Sequence, residues 1–349
     1  MVRSRTIIAV PPGATIKEQL SERGMTQKEF AVRMDLSEKH ISKLINGDVH
    51  LTPDVALRLE LVLGVPASFW NNLEAIYREK VNAAIAENKL EEDERIAKQF
   101  PYAEMEKYGW VASATTAKEK AINLRRFFEV VELPLIADKR ITKIAYRRLV
   151  ITEKKDLAVM AWVQQARLVS RKIDTKPINI SKVINYIPRI REMTLLDPDA
   201  FCEELEMLLS DCGIAIVFLP HLTGSGLQGA SFVEGKKIVV GVTVRGKDAD
   251  RFWFSLFHEI GHIVMGHIGQ EDGTSIEDEK DADEWAANAL IPKLEYMAFL
   301  KKGNYSKQSV IDFSQLIGID KGIVVGRLQN DAVIKHNMLN DLKTKYIIA

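Results

Sequence analysis

The sequence predicts a mainly α protein with one small β-sheet, an α+β chain with an all-helical amino-terminal module, a helical middle region and a carboxy-terminal domain that holds the sheet. Three observations carry this expectation. Four short amphipathic segments with clear start signals fill the first 65 residues, and glycine-punctuated apolar runs cluster between 213 and 244. A segment apolar nearly all round, RFWFSLFHEIGHIVMGH, follows them. At 349 residues, 46% hydrophobic and with a formal net charge of +0, the chain has room for two or three domains and carries no acidic or basic tail. The expected spans are 11–70, 71–194, 195–300 and 301–349.

In the first span, Thr26 caps a helix running through Met34, Asp35 and Leu36 form a turn, Ser37 caps the next helix through Asn46, and Gly47 stops it. Phe30, Ala31, Met34, Leu36, Ile41, Leu44 and Ile45 then take the buried positions of a helix-turn-helix. The pattern resembles the Xre/Cro-type DNA-binding domain over residues 14 to 65. That resemblance implies a double-stranded DNA operator as partner, a homodimer reading two half-sites, and the Ser37 helix in the major groove. Lys39, His40 and Ser42 would read base edges and Lys43 would engage phosphate, with Ser37 on the same face and Gln27 making a backbone or base contact. A module used only for protein contacts is the alternative, because Glu22, Glu29, Glu38, Asp48 and Glu60 nearly balance the basic residues.

The middle span reads as helices. AAIAENKLEEDERIAKQ continues from SFWNNLEAIYREK as a charged connector, and FPYAEMEKYGWV, KEKAINLRRFFEV and LAVMAWVQQARLVSRK are amphipathic segments able to pack a middle domain. GIAIVFLP and GASFVEGKKIVVGVTV then read as short strands, the last ending near Val244, forming a sheet beside the apolar helix. His221 and Arg245 lie at the ends of these strands, as loop residues or as groups able to stabilise an oxyanion.

His258-Glu259-Ile260-Gly261-His262 is the HExxH pattern of a catalytic zinc site. Side chains four apart on a helix share a face, so His258 and His262 can aim two imidazoles at one Zn2+. Glu259 sits beside that metal without ligating it, placed as a general base for a water whose pKa the metal lowers to about 7. The chemistry this pattern implies is amide hydrolysis. A metzincin would place its third histidine at the position of Ile268; His267 is one residue off and follows Gly266, a helix terminator. A carboxylate from SIEDEKDADEWAANALIP is the other source, and Asp281 and Glu279 are both available. Each could equally serve as a solvated acidic group suited to a helix amino terminus.

FSLFHEIGHIVMGH followed by EKDADEWAANALIP resembles the ImmA/IrrE family of zinc metallopeptidases. The resemblance implies a zincin-like metallopeptidase fold for 195–300 and carries the third ligand onto Asp281, where this chain has aspartate in place of the usual glutamate; Glu279 is the alternative. FPYAEMEKYGWV and GIVVGRLQ are similar to segments of antitoxin-like regulators that fuse an Xre-type module to such a peptidase. Two functions follow from the resemblance. One is a DNA-bound regulator that cleaves a protein substrate, or itself, in response to a signal. The other is an antitoxin-like repressor that holds a toxin partner without cutting. QSVIDFSQLIGIDKGIVVGRLQ has the outline of a second helix-turn-helix but exposes little that is polar, and is expected to pack against the peptidase. Cys202 and Cys212 give no disulfide or zinc-ribbon pattern. The opening apolar run is too short for a signal peptide and no later run could span a bilayer, so a cytoplasmic protein without membrane contact is expected.

Overall fold

Hydroxyl caps start three of the amino-terminal helices of this computed structural model, which describes residues 2–137, 154–243, 248–268 and 274–346. The chain is mainly α with small sheets, and it divides into two units, Met1–Arg95 and Ile96–Ala349. The first holds α1 (Gly13–Glu22), α2 (Gln27–Arg33), α3 (Glu38–Asn46), α4 (Pro53–Leu63) and nearly all of the long α5 (Ala67–Ala97). Hydroxyls of Thr26, Ser37 and Thr52 cap α2, α3 and α4, and Gly47 (φ 78°) and Gly64 (φ 70°) close α3 and α4 in the left-handed conformation. Asp35, φ 51°, makes the turn between α2 and α3. Ile16, Phe30, Met34, Ile41, Leu44 and Leu59 form one core with Trp70 of α5.

That core is why the first unit runs past residue 70. The span 71–194 forms no unit of its own: α5 belongs with the helix-turn-helix as far as Arg95, and the rest lies in the second unit. A two-stranded hairpin, β1 (Val2–Arg3) with β2 (Ile8–Ala9), docks on α5 through the hydroxyls of Ser4 and Thr6, which donate to Glu87 at 2.5 and 2.8 Å.

The second unit is built on three strands, β3 (Ile214–Phe218), β4 (Gly229–Glu234) and β5 (Lys237–Val242), in the order β3-β5-β4. β5 pairs parallel with β3 and antiparallel with β4. Alternation along each strand serves two helices, α8 (Lys154–Ser170) and α11 (Ala249–Val264), on opposite faces. Ile214, Ile216, Ile238, Val240 and Val242 join a core with Phe252, Trp253, Leu256 and Ile260 of α11. On the other face Trp162 of α8 lies over Gly241, where a Cβ would stand 2.6 Å from the indole ring. Arg167 of α8 lies over the Phe232 ring of β4 and pairs with Glu234 at 3.0 Å.

Before α8 lie α6 (Tyr102–Lys107) and α7 (Ala117–Phe128), and between α8 and β3 lie α9 (Ile180–Glu192) and α10 (Pro198–Ser210). After α11 come α12 (Ile276–Leu290), α13 (Lys293–Lys302), α14 (Lys307–Ile317) and α15 (Lys321–Asn330). Val310, Phe313, Val324, Val325 and Leu328 share the core of α11, so the expected carboxy-terminal helices are continuous with the region around that helix. Arg191 of α9 ties them together by donating to the terminal carbonyls of α12 (Leu290, 2.7 Å) and α14 (Ile317, 2.6 Å), a favourable place for a cation. Among the described residues no helix is long and apolar enough to cross a membrane.

Candidate metal centre

Helical spacing in α11 stacks His258 over His262, with ring centroids 4.6 Å apart. Their Nε2 atoms face each other at 3.0 Å, and the Glu279 carboxylate of α12 lies 3.4 Å from each. Two nitrogens and an oxygen bound tetrahedrally to Zn2+ at about 2.0–2.1 Å would sit about 3.3 Å apart. The three groups are therefore spaced as a metal's ligand set would be, and among the described residues His258, His262 and Glu279 are the group that could hold a metal ion.

Helix phase explains why Glu279 meets the histidines. On α12, Glu279 and Asp283 are four apart and share the face toward α11, where Asp283 Oδ1 lies 2.7 Å from His258 Nδ1. Asp281, two positions from Glu279, is turned about 200° away from it. It is exposed and stands outside the group. The close crossing of the two helices depends on Gly261, the fourth residue of HEIGH. A Cβ there would lie 3.2 Å from the Trp285 ring and 3.3 Å from the Ala282 carbonyl oxygen, so glycine lets α12 approach near enough for its carboxylate to arrive.

Glu259 points to β4. Strand alternation directs Gly229, Ser231 and Val233 toward α11, and Ser231 Oγ donates to Glu259 Oε2 at 2.6 Å. A Cβ at Gly229 would stand 2.9 Å from Glu259 Oε1, so that glycine leaves room for the carboxylate, which is only 8% exposed. His262 is 5% exposed, so the centre is nearly shut off from solvent on this side. His267, a poor ligand candidate by its position in the sequence, is buried behind His262, with Nδ1 3.1 Å from Nδ1 of that residue.

At the start of α12, the Ser275 hydroxyl accepts from the Asp278 amide while Asp278 accepts from the Ser275 amide at 2.7 Å. The Ser275 amide first, then its side chain, hold the Asp278 carboxyl below its usual range. Sequence reading passed over Ser231, Asp283 and Asp278. Period two along β4 and period four from Glu279 were the available signals; the pairing of these elements was not. His221 is partly buried, and its carbonyl accepts from the Tyr108 hydroxyl at 3.3 Å, whereas Arg245 lies outside the described residues.

In the first unit, Gln27, Ser37, Lys39, Ser42 and Lys43 are all exposed, the last four on the outer side of α3. Ser37 accepts from the His40 amide at 3.2 Å as the helix cap, and its hydroxyl proton remains free to donate. His40 is half-buried and its Nε2 is shielded, so this ring presents less to a ligand than its neighbours do.

Residues 16–70 match the family described as Helix-turn-helix, and residues 252–306 match the family described as Peptidase U49, a segment holding the whole HExxH sequence and Glu279. The chain is 36% identical over 63 residues to an uncharacterized HTH-type transcriptional regulator, YddM, of Escherichia coli (strain K12). That alignment covers 18% of this chain and 67% of YddM.

Proposed function

Since the chain belongs to the helix-turn-helix transcriptional regulators, we propose that it is an operator-bound regulator whose second unit is a zinc-dependent endopeptidase of the ImmA/IrrE kind. It cleaves a partner protein, or its own chain, in response to a signal. The observation that carries this reading is the convergence of His258, His262 and Glu279 beside a Glu259 carboxylate that a neighbouring strand holds in place.

His258, His262 and Glu279 would hold the zinc, in preference to Asp281, because these three bring donor atoms within 3.4 Å of one another and Asp281 stands outside the group. When bound there, zinc supplies a Lewis acid that polarises a peptide carbonyl and acidifies water. Glu259 takes the proton of the attacking water and passes it to the leaving amine; Ser231 keeps its carboxylate aimed. β4 is an edge strand among the described residues, and an extended polypeptide can add to it by main-chain hydrogen bonds. The α3 face with Lys39, Ser42 and Lys43 docks in the major groove of double-stranded DNA, with Gln27 and Ser37 supporting it, and a homodimer engages two half-sites. This reading requires the cytoplasm, where the operator lies.

Glu259→Gln tests it. The variant retains the size of the side chain but cannot accept the proton, so zinc content and operator binding should stay at wild-type levels while cleavage stops. Peptide termini are mapped by mass spectrometry in cells carrying either protein, alongside a reporter on the bound promoter. Loss of a specific cleavage product and of induction in the variant is the expected result. Identical fragments and identical induction would overturn the peptidase reading in favour of an antitoxin-like repressor that binds a toxin without cutting it.

A further inference from the structure

We propose that His267 is a positioning residue for the metal centre, accepting the Nδ1 proton of His262 and so presenting Nε2 of that ring to the metal. This rests on the reading that His258, His262 and Glu279 hold zinc. α11 ends at Val264, and Gly266, at φ 76°, reverses the chain so that the His267 amide donates to the His262 carbonyl at 2.9 Å. The turn lays one buried imidazole against the other, with centroids 5.3 Å apart and planes at 65°. Their Nδ1 atoms are 3.1 Å apart, so one must donate and the other accept.

Metal binding at His262 Nε2 would decide which. A ligating Nε2 uses its lone pair, which leaves the proton of neutral His262 on Nδ1 and makes His267 Nδ1 the acceptor. The proton of His267 is then on Nε2, which faces Asp278 Oδ1 at 3.5 Å. Asp278 is free to face it because the Ser275 amide engages only the other carboxylate oxygen. One tautomer assignment thus fits the whole row, with a hydrogen bond between the two rings and a longer 3.5 Å approach of His267 to the Asp278 carboxylate. The two ligands are backed differently: His258 Nδ1 meets the Asp283 carboxylate directly at 2.7 Å, whereas His262 meets the His267 ring with a carboxylate behind it. Outer partners of this type orient a ligand and raise its basicity.

The test uses the full chain, with zinc affinity measured by chelator competition and the visible spectrum of the cobalt-substituted protein as a ligand-field signature. His267→Leu removes the acceptor; His267→Asn returns an oxygen acceptor near the Nδ1 position. The leucine variant should bind zinc about 10- to 100-fold more weakly and shift the cobalt bands, and the asparagine variant should recover most of both. Unchanged affinity and spectrum in the leucine variant would overturn the proposal. So would equal losses in both variants accompanied by equal falls in the unfolding midpoint of the metal-free protein, since that is a packing role alone. Failure of the wild type to bind zinc, or full zinc retention by His262→Ala, would remove the metal reading itself and the proposal with it.

Discussion

Ser231 Oγ donates to Glu259 Oε2 across 2.6 Å, joining the edge strand β4 to the helix that carries both histidines. Removing that hydroxyl frees the carboxylate to turn. Ser231→Ala should leave zinc content and folding unchanged and lower the cleavage rate roughly 10- to 100-fold, as loss of an orienting partner does. Ser231→Thr, which keeps a hydroxyl, should restore much of the rate. Equal turnover by the alanine variant and wild type on a purified substrate would show that the bond has no role in orienting the base.

Gly261 sets the distance between α11 and α12. In Gly261→Ala the new methyl must displace the Ala282 backbone or the Trp285 ring by a few tenths of an ångström. Overpacking of this kind costs about 1–3 kcal/mol, and here it also draws Glu279 away from the histidines. Thermal unfolding should therefore show a destabilised second unit, and zinc titration a weaker site. Normal affinity in a destabilised variant would mean that the helices part without moving the carboxylate.

DNA binding separates into two kinds of contact. Lys39→Ala and Ser42→Ala should each cost about 1–3 kcal/mol on the specific operator, while Lys43→Ala should weaken all sequences alike and flatten the salt dependence. Gel shifts at several salt concentrations distinguish the two patterns. A triple variant binding as well as wild type would exclude this docking.

Asp211 ties the end of α10 to Lys176, Lys182 and the Tyr186 hydroxyl. Hydrogen bonds from Lys176, then Lys182 and Tyr186, hold its carboxyl far below the usual range. A depressed folded-state pKa contributes stability that is fully present above the unfolded value, about 3.9, and is lost as pH falls through the folded value. Asp211→Asn should therefore lower the melting temperature at pH 7. The gap from wild type should close as the buffer is made more acidic than about pH 4. A gap that persists unchanged in acid would show that the bonds, not the charge, carry the effect.

What the sequence by itself determined about this protein is local. Hydroxyl caps at Thr26 and Ser37 and the stop at Gly47 marked the second and third helices, because a cap is satisfied within one turn of chain. Four-residue spacing put His258 and His262 on one face for the same reason. Tertiary structure alone decided what those faces meet. Whether Glu279 or Asp281 reaches the histidines depends on the rotation of α12 where it crosses Gly261, and aspartate and glutamate two residues apart read alike until that crossing is known. The edge position of β4, which brings Ser231 to Glu259, follows from a β5 paired with one strand before it in each direction, a long-range choice that period two does not encode. The extension of the first core to Trp70, and with it the end of the first unit near Arg95, likewise came from packing between segments that no local pattern links.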